Sequence, residues 1–142
     1  ARFHLVDATR KKIFAVRKMI RELGLGHVDA WHGRAEEWPG EATHAVSRAT
    51  ADLDVLWRWF DRVRTELGPG TIDEARPAVE PWPPSLLALK GGDLSGEIGA
   101  LNEAASDLEV QVVELSELLD LPFFTTKKAV CVRPASVGPD SP

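Results

Sequence analysis

Apolar positions change period several times along the chain, and each change marks an expected element. Phe3 to Asp7 (FHLVD) is a short apolar run ending in an acid, the pattern of a buried strand that delivers Asp7 to its carboxyl end. Ile13, Val16, Ile20 and Leu23 then recur at helical spacing behind Thr9, the expected cap, and Gly24 and Gly26 end the helix. Its other face carries Arg10, Lys11, Lys12, Arg17, Lys18 and Arg21. His27 to Trp31 (HVDAW) reads as a second strand, Trp38-Pro39-Gly40 as a turn, and Thr43 to Arg48 (THAVSR) as a third strand.

The second half repeats the alternation. Leu53, Leu56, Phe60, Val63 and Leu67 step by three and four, with Gly68-Pro69-Gly70 closing the helix. Five of the ten prolines fall between Pro69 and Pro84, so 69–85 is expected to be an extended loop inserted before a strand from Leu86 to Lys90. A helix from about Asp93 to Ser106 turns Leu94, Ile98, Leu101 and Ala105 inward, with Ser95 and Glu97 near its start. Two further strands, Glu109 to Leu115 and Lys127 to Arg133, are joined by a loop that suits antiparallel neighbours. The pattern predicts an α/β fold with a mostly parallel sheet and an antiparallel final hairpin, one domain over 1–134 and a disordered tail over 135–142.

Composition changes this picture little. With 142 residues, 44% apolar and 27% charged, the chain has the balance of one globular domain, which excludes collagen-like, coiled-coil and wholly disordered readings. The single cysteine, Cys131, lies in an apolar run and reads as core. It allows no disulfide within the chain, and a cytoplasmic setting is expected. No apolar run is long enough to span a bilayer, and residues 1–20 lack signal-peptide zoning. The formal net charge of -5 argues against nucleic-acid binding through overall charge and leaves the question to local basic faces. His4, His27, His32 and His44 form no metal-ligand spacing, so no metal is expected. Trp31 and Trp38 alone among the five tryptophans fall near the strand-end candidates, and most tryptophans fill cores.

Candidate chemistry gathers at strand ends. In doubly wound folds the ligand lies beyond the carboxyl ends of the strands, where an acid accepts hydrogen bonds from ribose hydroxyls. Asp7 is such an acid; the same carboxylate also suits a cap for the helix beginning near Thr9. Arg48 leaves its strand as an anion or base contact, or else as a salt-bridge partner of Asp52 or Asp54. Lys90, before Gly91-Gly92, is placed for a phosphate contact or for plain solvation. The basic face containing Lys11 and Lys12 is a candidate for RNA phosphates, although charged outer faces are usual on amphipathic helices.

Four blocks together resemble the RsmG (glucose-inhibited division protein B) family of 16S ribosomal RNA guanine-N7 methyltransferases. They are HLVD with Arg10-Lys11-Lys12 and RELGL at 21–25, GRAEEW at 33–38, SRA at 47–49, and LLALKGG at 86–92. The resemblance covers most of residues 2–133 and implies a Rossmann-like class I methyltransferase. Its implied cofactor is S-adenosyl-L-methionine, and its implied partner is 16S ribosomal RNA or the small ribosomal subunit. By the same resemblance Asp7, Ala35, Glu36 and Arg48 are cofactor-site positions, with Ala35 and Glu36 against the adenine. Lys11, Lys12 and Lys90 are candidate RNA contacts from their own positions, on the basic helix face and at the strand end. Guanine N7 carries a free lone pair, so the absence of an acid-base pair does not count against this chemistry.

In that family a strand and a glycine-rich loop precede the acid-bearing strand, yet residues 1–23 contain no glycine. The chain is therefore expected to be a carboxy-terminal part lacking the first strand, which in the usual sheet order lies between the strands ending at Asp7 and Arg48. Two rival readings stand beside this one: a different nucleotide-binding Rossmann domain such as a dehydrogenase, and an inactive RNA- or protein-binding remnant.

Overall fold

The computed structural model describes residues 1–48, 50–66 and 82–135. Contacts divide the chain into two units, 1–40 and 41–142. All of the expected tail but Ala135, and most of the expected proline-rich loop, lie outside the described residues.

The first unit holds β1 (Phe3–Asp7), α1 (Arg10–Glu22), β2 (Val28–His32) and a single 3-10 turn at Ala35–Glu37. β1 and β2 pair in parallel, Phe3 opposite Val28 through Asp7 opposite His32, and α1 is the crossover between them. Ile13 is the one buried residue of α1, and Gly24, with φ +64, supplies the left-handed position that ends the helix. The expected Thr9 cap forms differently: its side chain makes no capping bond, and Asp7 Oδ1 instead accepts the Thr9 amide hydrogen at 2.7 Å. β1, read as a buried strand, has Phe3, His4 and Leu5 exposed, because β2 pairs one edge and no other strand pairs the second among the described residues.

The second unit holds β3 (His44–Arg48), α2 (Leu53–Val63), β4 (Ser85–Gly91), α3 (Ser95–Ala104), β5 (Leu108–Glu114) and β6 (Lys127–Pro134). The sheet order is β3-β4-β6-β5: β3 and β4 run parallel, while β6 runs antiparallel to both β4 and β5. The antiparallel hairpin thus forms as expected, but the strands make two hydrogen-bonded sheets rather than one. α2 ends at Val63, short of the expected Leu67, because Arg64 turns extended and the backbone on either side of it bonds Ala42: Ala42 N–H to Val63 O, and Thr65 N–H to Ala42 O.

One face of this sheet is a core. Leu86, Ala88, Val130 and Val132 meet Leu53, Leu56, Trp57 and Phe60 of α2, together with Leu94 and Leu101 around α3. Strand alternation places Val46, Leu87, Leu89, Ala129 and Cys131 on the opposite face, where they are half-buried or exposed. Cys131, expected in the core, is one of these, since Val130 and Val132 take the inward positions beside it.

Candidate functional site

In the first unit the carboxyl ends of β1 and β2 are tied together by backbone. The Gly33 amide donates to Asp7 O at 3.2 Å, and the His32 ring Nε2 lies 3.2 Å from Ala8 O. Gly33 has no side chain where the Trp31 indole lies, so a Cβ there would collide with the ring. This fixes the path of the chain from β2 into the turn carrying Ala35 and Glu36.

Asp7 ends β1 with both carboxylate oxygens directed at the start of α1. Oδ1 accepts from Thr9 N–H, and Oδ2 accepts from Lys12 Nζ at 3.2 Å. The Thr9 hydrogen bonds, then Lys12, hold the Asp7 carboxyl below the usual range, so it is ionised and purely an acceptor at neutral pH. The capping alternative is therefore realised. It leaves lone pairs unused, because each oxygen has capacity for a second hydrogen bond and the side chain is one-third exposed.

Ala35 and Glu36 are half-buried in the 3-10 turn. Arg34 Nε donates to Glu36 Oε1 at 2.8 Å, and this contact pushes the Arg34 guanidinium up. Arg34 was not among the expected site residues. The available signal was its place two residues before the acid in GRAEE, close enough to fix the carboxylate's direction.

Arg48 and Lys90 belong to the second unit. Arg48 is exposed at the end of β3 and makes no side-chain ion pair among the described residues; Asp54, one of its alternative partners, pairs instead with Arg58 at 3.3 Å. The loop beyond it is bonded through Ser47 Oγ to Thr50 Oγ1 and Thr50 Oγ1 to Arg48 O.

Lys90 is turned inward, with its side chain 9% exposed, and its ammonium meets Glu97 Oε2 and Ala51 O, each at 2.6 Å. The same Glu97 oxygen accepts the Leu53 amide hydrogen at 3.0 Å. This cluster ties the end of β4 to the first turns of α2 and α3, work that competes with a phosphate contact. Lys11 is exposed on α1, and Lys12 is shared with Asp7. Among the described residues there is no cluster of three His, Cys, Asp or Glu side chains able to hold a metal, and no helix is long and apolar enough to cross a membrane.

No family model matches the chain. Curated relatives do. Over 129 residues it is 47% identical to the ribosomal RNA small subunit methyltransferase G of Salinibacter ruber, covering 90% of this chain and 57% of that protein. The proteins of the same name from Christiangramia forsetii and Chlorobium luteolum are 35% and 41% identical, each over 90% of this chain and 53% and 49% of their own length. The chain thus spans about half the length of the curated relatives it matches. The family resemblance read from its motifs is borne out: over nine-tenths of its length the chain is a relative of RsmG proteins. A solved structure of precorrin 8w decarboxylase from Methanobacterium thermoautotrophicum shares the fold, with TM-score 0.53 and 15% identity over 94% of this chain and 70% of the other.

Proposed function

We propose that this chain is a portion of an S-adenosylmethionine-dependent methyltransferase of the RsmG family, acting on N7 of a guanine in 16S ribosomal RNA. The observation that carries the reading is the carboxyl edge of β1 and β2, where an ionised Asp7 and the Arg34-directed Glu36 sit on segments that also carry the family's motifs.

The residues present fit the adenosine half of the cofactor. Asp7 has acceptor capacity for two ribose hydroxyls, Ala35 permits close approach of a flat ring, and Glu36 is an acceptor suited to an exocyclic amine. When bound, the cofactor supplies an electrophilic methyl group. Because guanine N7 has no proton to lose, the chain's contribution is to hold the partners in line rather than to move protons. Arg48, exposed and unpaired among the described residues, has the charge to meet cofactor or RNA at the end of β3.

The finer fold we infer is a Rossmann-like class I methyltransferase completed by a further strand and a glycine-rich turn. Three observations support it. β1 lacks a neighbour on one edge and β3 lacks one on its outer edge among the described residues. The second face of the larger sheet displays Val46, 73% exposed. Residues 1–23 hold no glycine to cradle the methionine half.

Calorimetric titration of the folded, monodisperse chain with S-adenosylhomocysteine tests the reading. Saturable binding that is lost on Asp7→Ala or Glu36→Ala is the expected result. Binding unaffected by both substitutions would remove these residues from the site, and no binding by the folded chain would reject it as a self-sufficient methyltransferase.

A further inference from the structure

We propose that a groove along the outer side of α1 and β2 is a docking site for single-stranded RNA, with Phe14 as its stacking platform. The choice of RNA rests on the methyltransferase reading above. Two clefts of about 410 and 440 Å³ share Phe14 and Arg17; the first runs to Arg21 and Val28, the second to Arg10 and His32, so together they form one groove. Arg10, Phe14, Arg17 and Arg21 follow one another by four, three and four residues, a single helix stripe of roughly 16 Å. Phe14 is 69% exposed in the middle of it. An aromatic ring that is both exposed and flanked by arginines has the composition of a single-strand binding surface, in which bases stack on rings and guanidiniums meet phosphates.

Charge supports this occupant. Arg10 and Arg21 have no ion-pair partner among the described residues, and the groove's one acid, Asp29, is already paired with Arg2 at 3.4 Å. An acidic peptide adding as a strand is the competing occupant, and β2 is guarded against it. The Ala30 carbonyl faces away from β1 on the free edge of β2, and Arg17 covers it with two hydrogen bonds, from Nε at 3.1 Å and from a terminal nitrogen at 2.9 Å. Arg17 keeps other N–H donors for phosphate.

The test is fluorescence anisotropy of the chain with a labelled single-stranded RNA of about 12 nucleotides, beside the same sequence as a duplex and a polyglutamate peptide. Preference for the single strand is expected. Phe14→Leu, which keeps bulk and loses the ring, should weaken binding roughly tenfold with the salt dependence unchanged. Arg10→Ala with Arg21→Ala should lower the log–log salt slope by about 1.4.

The proposal is overturned if Phe14→Leu binds like the parent chain while Lys11→Ala with Lys18→Ala, on the neighbouring stripe outside the groove lining, abolishes binding. Equal or tighter binding of polyglutamate overturns it in favour of a protein partner, and failure of the folded chain to bind RNA at low salt overturns it outright. Titration of the same variants with S-adenosylhomocysteine separates the two readings: RNA binding without cofactor binding spares the groove, and cofactor binding without RNA binding spares the methyltransferase.

Discussion

The two units of the chain solve the problem of burial differently. Residues 41–142 supply eleven of the twelve buried apolar side chains recorded among the described residues, and residues 1–40 supply only Ile13. Charge divides the same way. The first unit carries eight cationic and five anionic side chains, the second nine and seventeen. The larger unit closes a core by laying α2 and α3 on one face of a four-stranded sheet. The smaller has one helix and two strands, and Phe3, Leu5, Met19 and Leu23 remain exposed. On α1, Lys12 reaches Asp7 on β1 while Phe14 and Arg17 line the groove beside β2, so Met19 and Leu23, seven and eleven residues after Lys12, continue the stripe on the β1 side. Apolar residues on the side of β1's open edge, with Ile13 alone buried among the described residues of the unit, leave the smaller unit the less closely packed of the two.

The sharpest way to break this contrast is to open the core. Leu101→Ala, at a position with no exposed surface, should cost about 2–5 kcal/mol in urea denaturation and lower the whole transition of the larger unit. Ile13→Ala should leave that transition in place and appear as a loss of far-ultraviolet helix signal. A single shared transition shifted equally by both substitutions would mean that the units do not fold separately.

A smaller effect is expected at the Lys90–Glu97 pair. Removing the ammonium with Lys90→Ala leaves a part-buried carboxylate and the Ala51 carbonyl without their partner, at about 3 kcal/mol, the lower end of the range for a broken buried pair because Glu97 is one-quarter exposed. Adding Glu97→Gln should recover part of this, since a neutral amide costs less to leave unpaired. Faster hydrogen exchange at Leu53, whose amide Glu97 accepts, would locate the damage at the first turn of α2. No change at Leu53 would refute the assignment of the cluster as an anchor for that turn.

Much of this was legible in the chain and some was not, for identifiable reasons. The alternation of FHLVD, HVDAW and THAVSR with helical spacing located the elements, because period depends on local geometry alone. Division into two sheets was not legible, since strand pairing depends on neighbours that the pattern of one strand does not specify. Asp7 stood out as an acid at a strand end, but that it would accept from the Thr9 amide in place of a Thr9 side-chain cap depends on the turn geometry at Ala8. Lys90 read as a strand-end cation, placed for a phosphate contact or for plain solvation. The sequence held its partner seven residues on, in Glu97, yet nothing in their spacing says that the two side chains meet beneath the surface.

The smallest expected effect bears on Asp7 and turns on sign. Its carboxyl is held below the usual range by Thr9 first and Lys12 second, so the folded unit favours the ionised form. That contribution is fully present above the unfolded pKa of about 4, and it is lost as pH falls through the lower folded value. The helix signal of the smaller unit should therefore stay constant from neutral pH down to about 5 and fall only in stronger acid, while Asp7→Asn flattens the acid limb. Carbon-detected titration of the Asp7 carboxyl provides the direct check. Because backbone hydrogen bonding leads the causes, high salt should move its midpoint only slightly, whereas a midpoint at or above the ordinary carboxylate value would remove the Thr9 bond from the folded state. An Asp7 that stays ionised across this range is an acceptor at every pH where ribose hydroxyls would meet it, so any pH dependence of cofactor binding between 5 and 8 must come from another group.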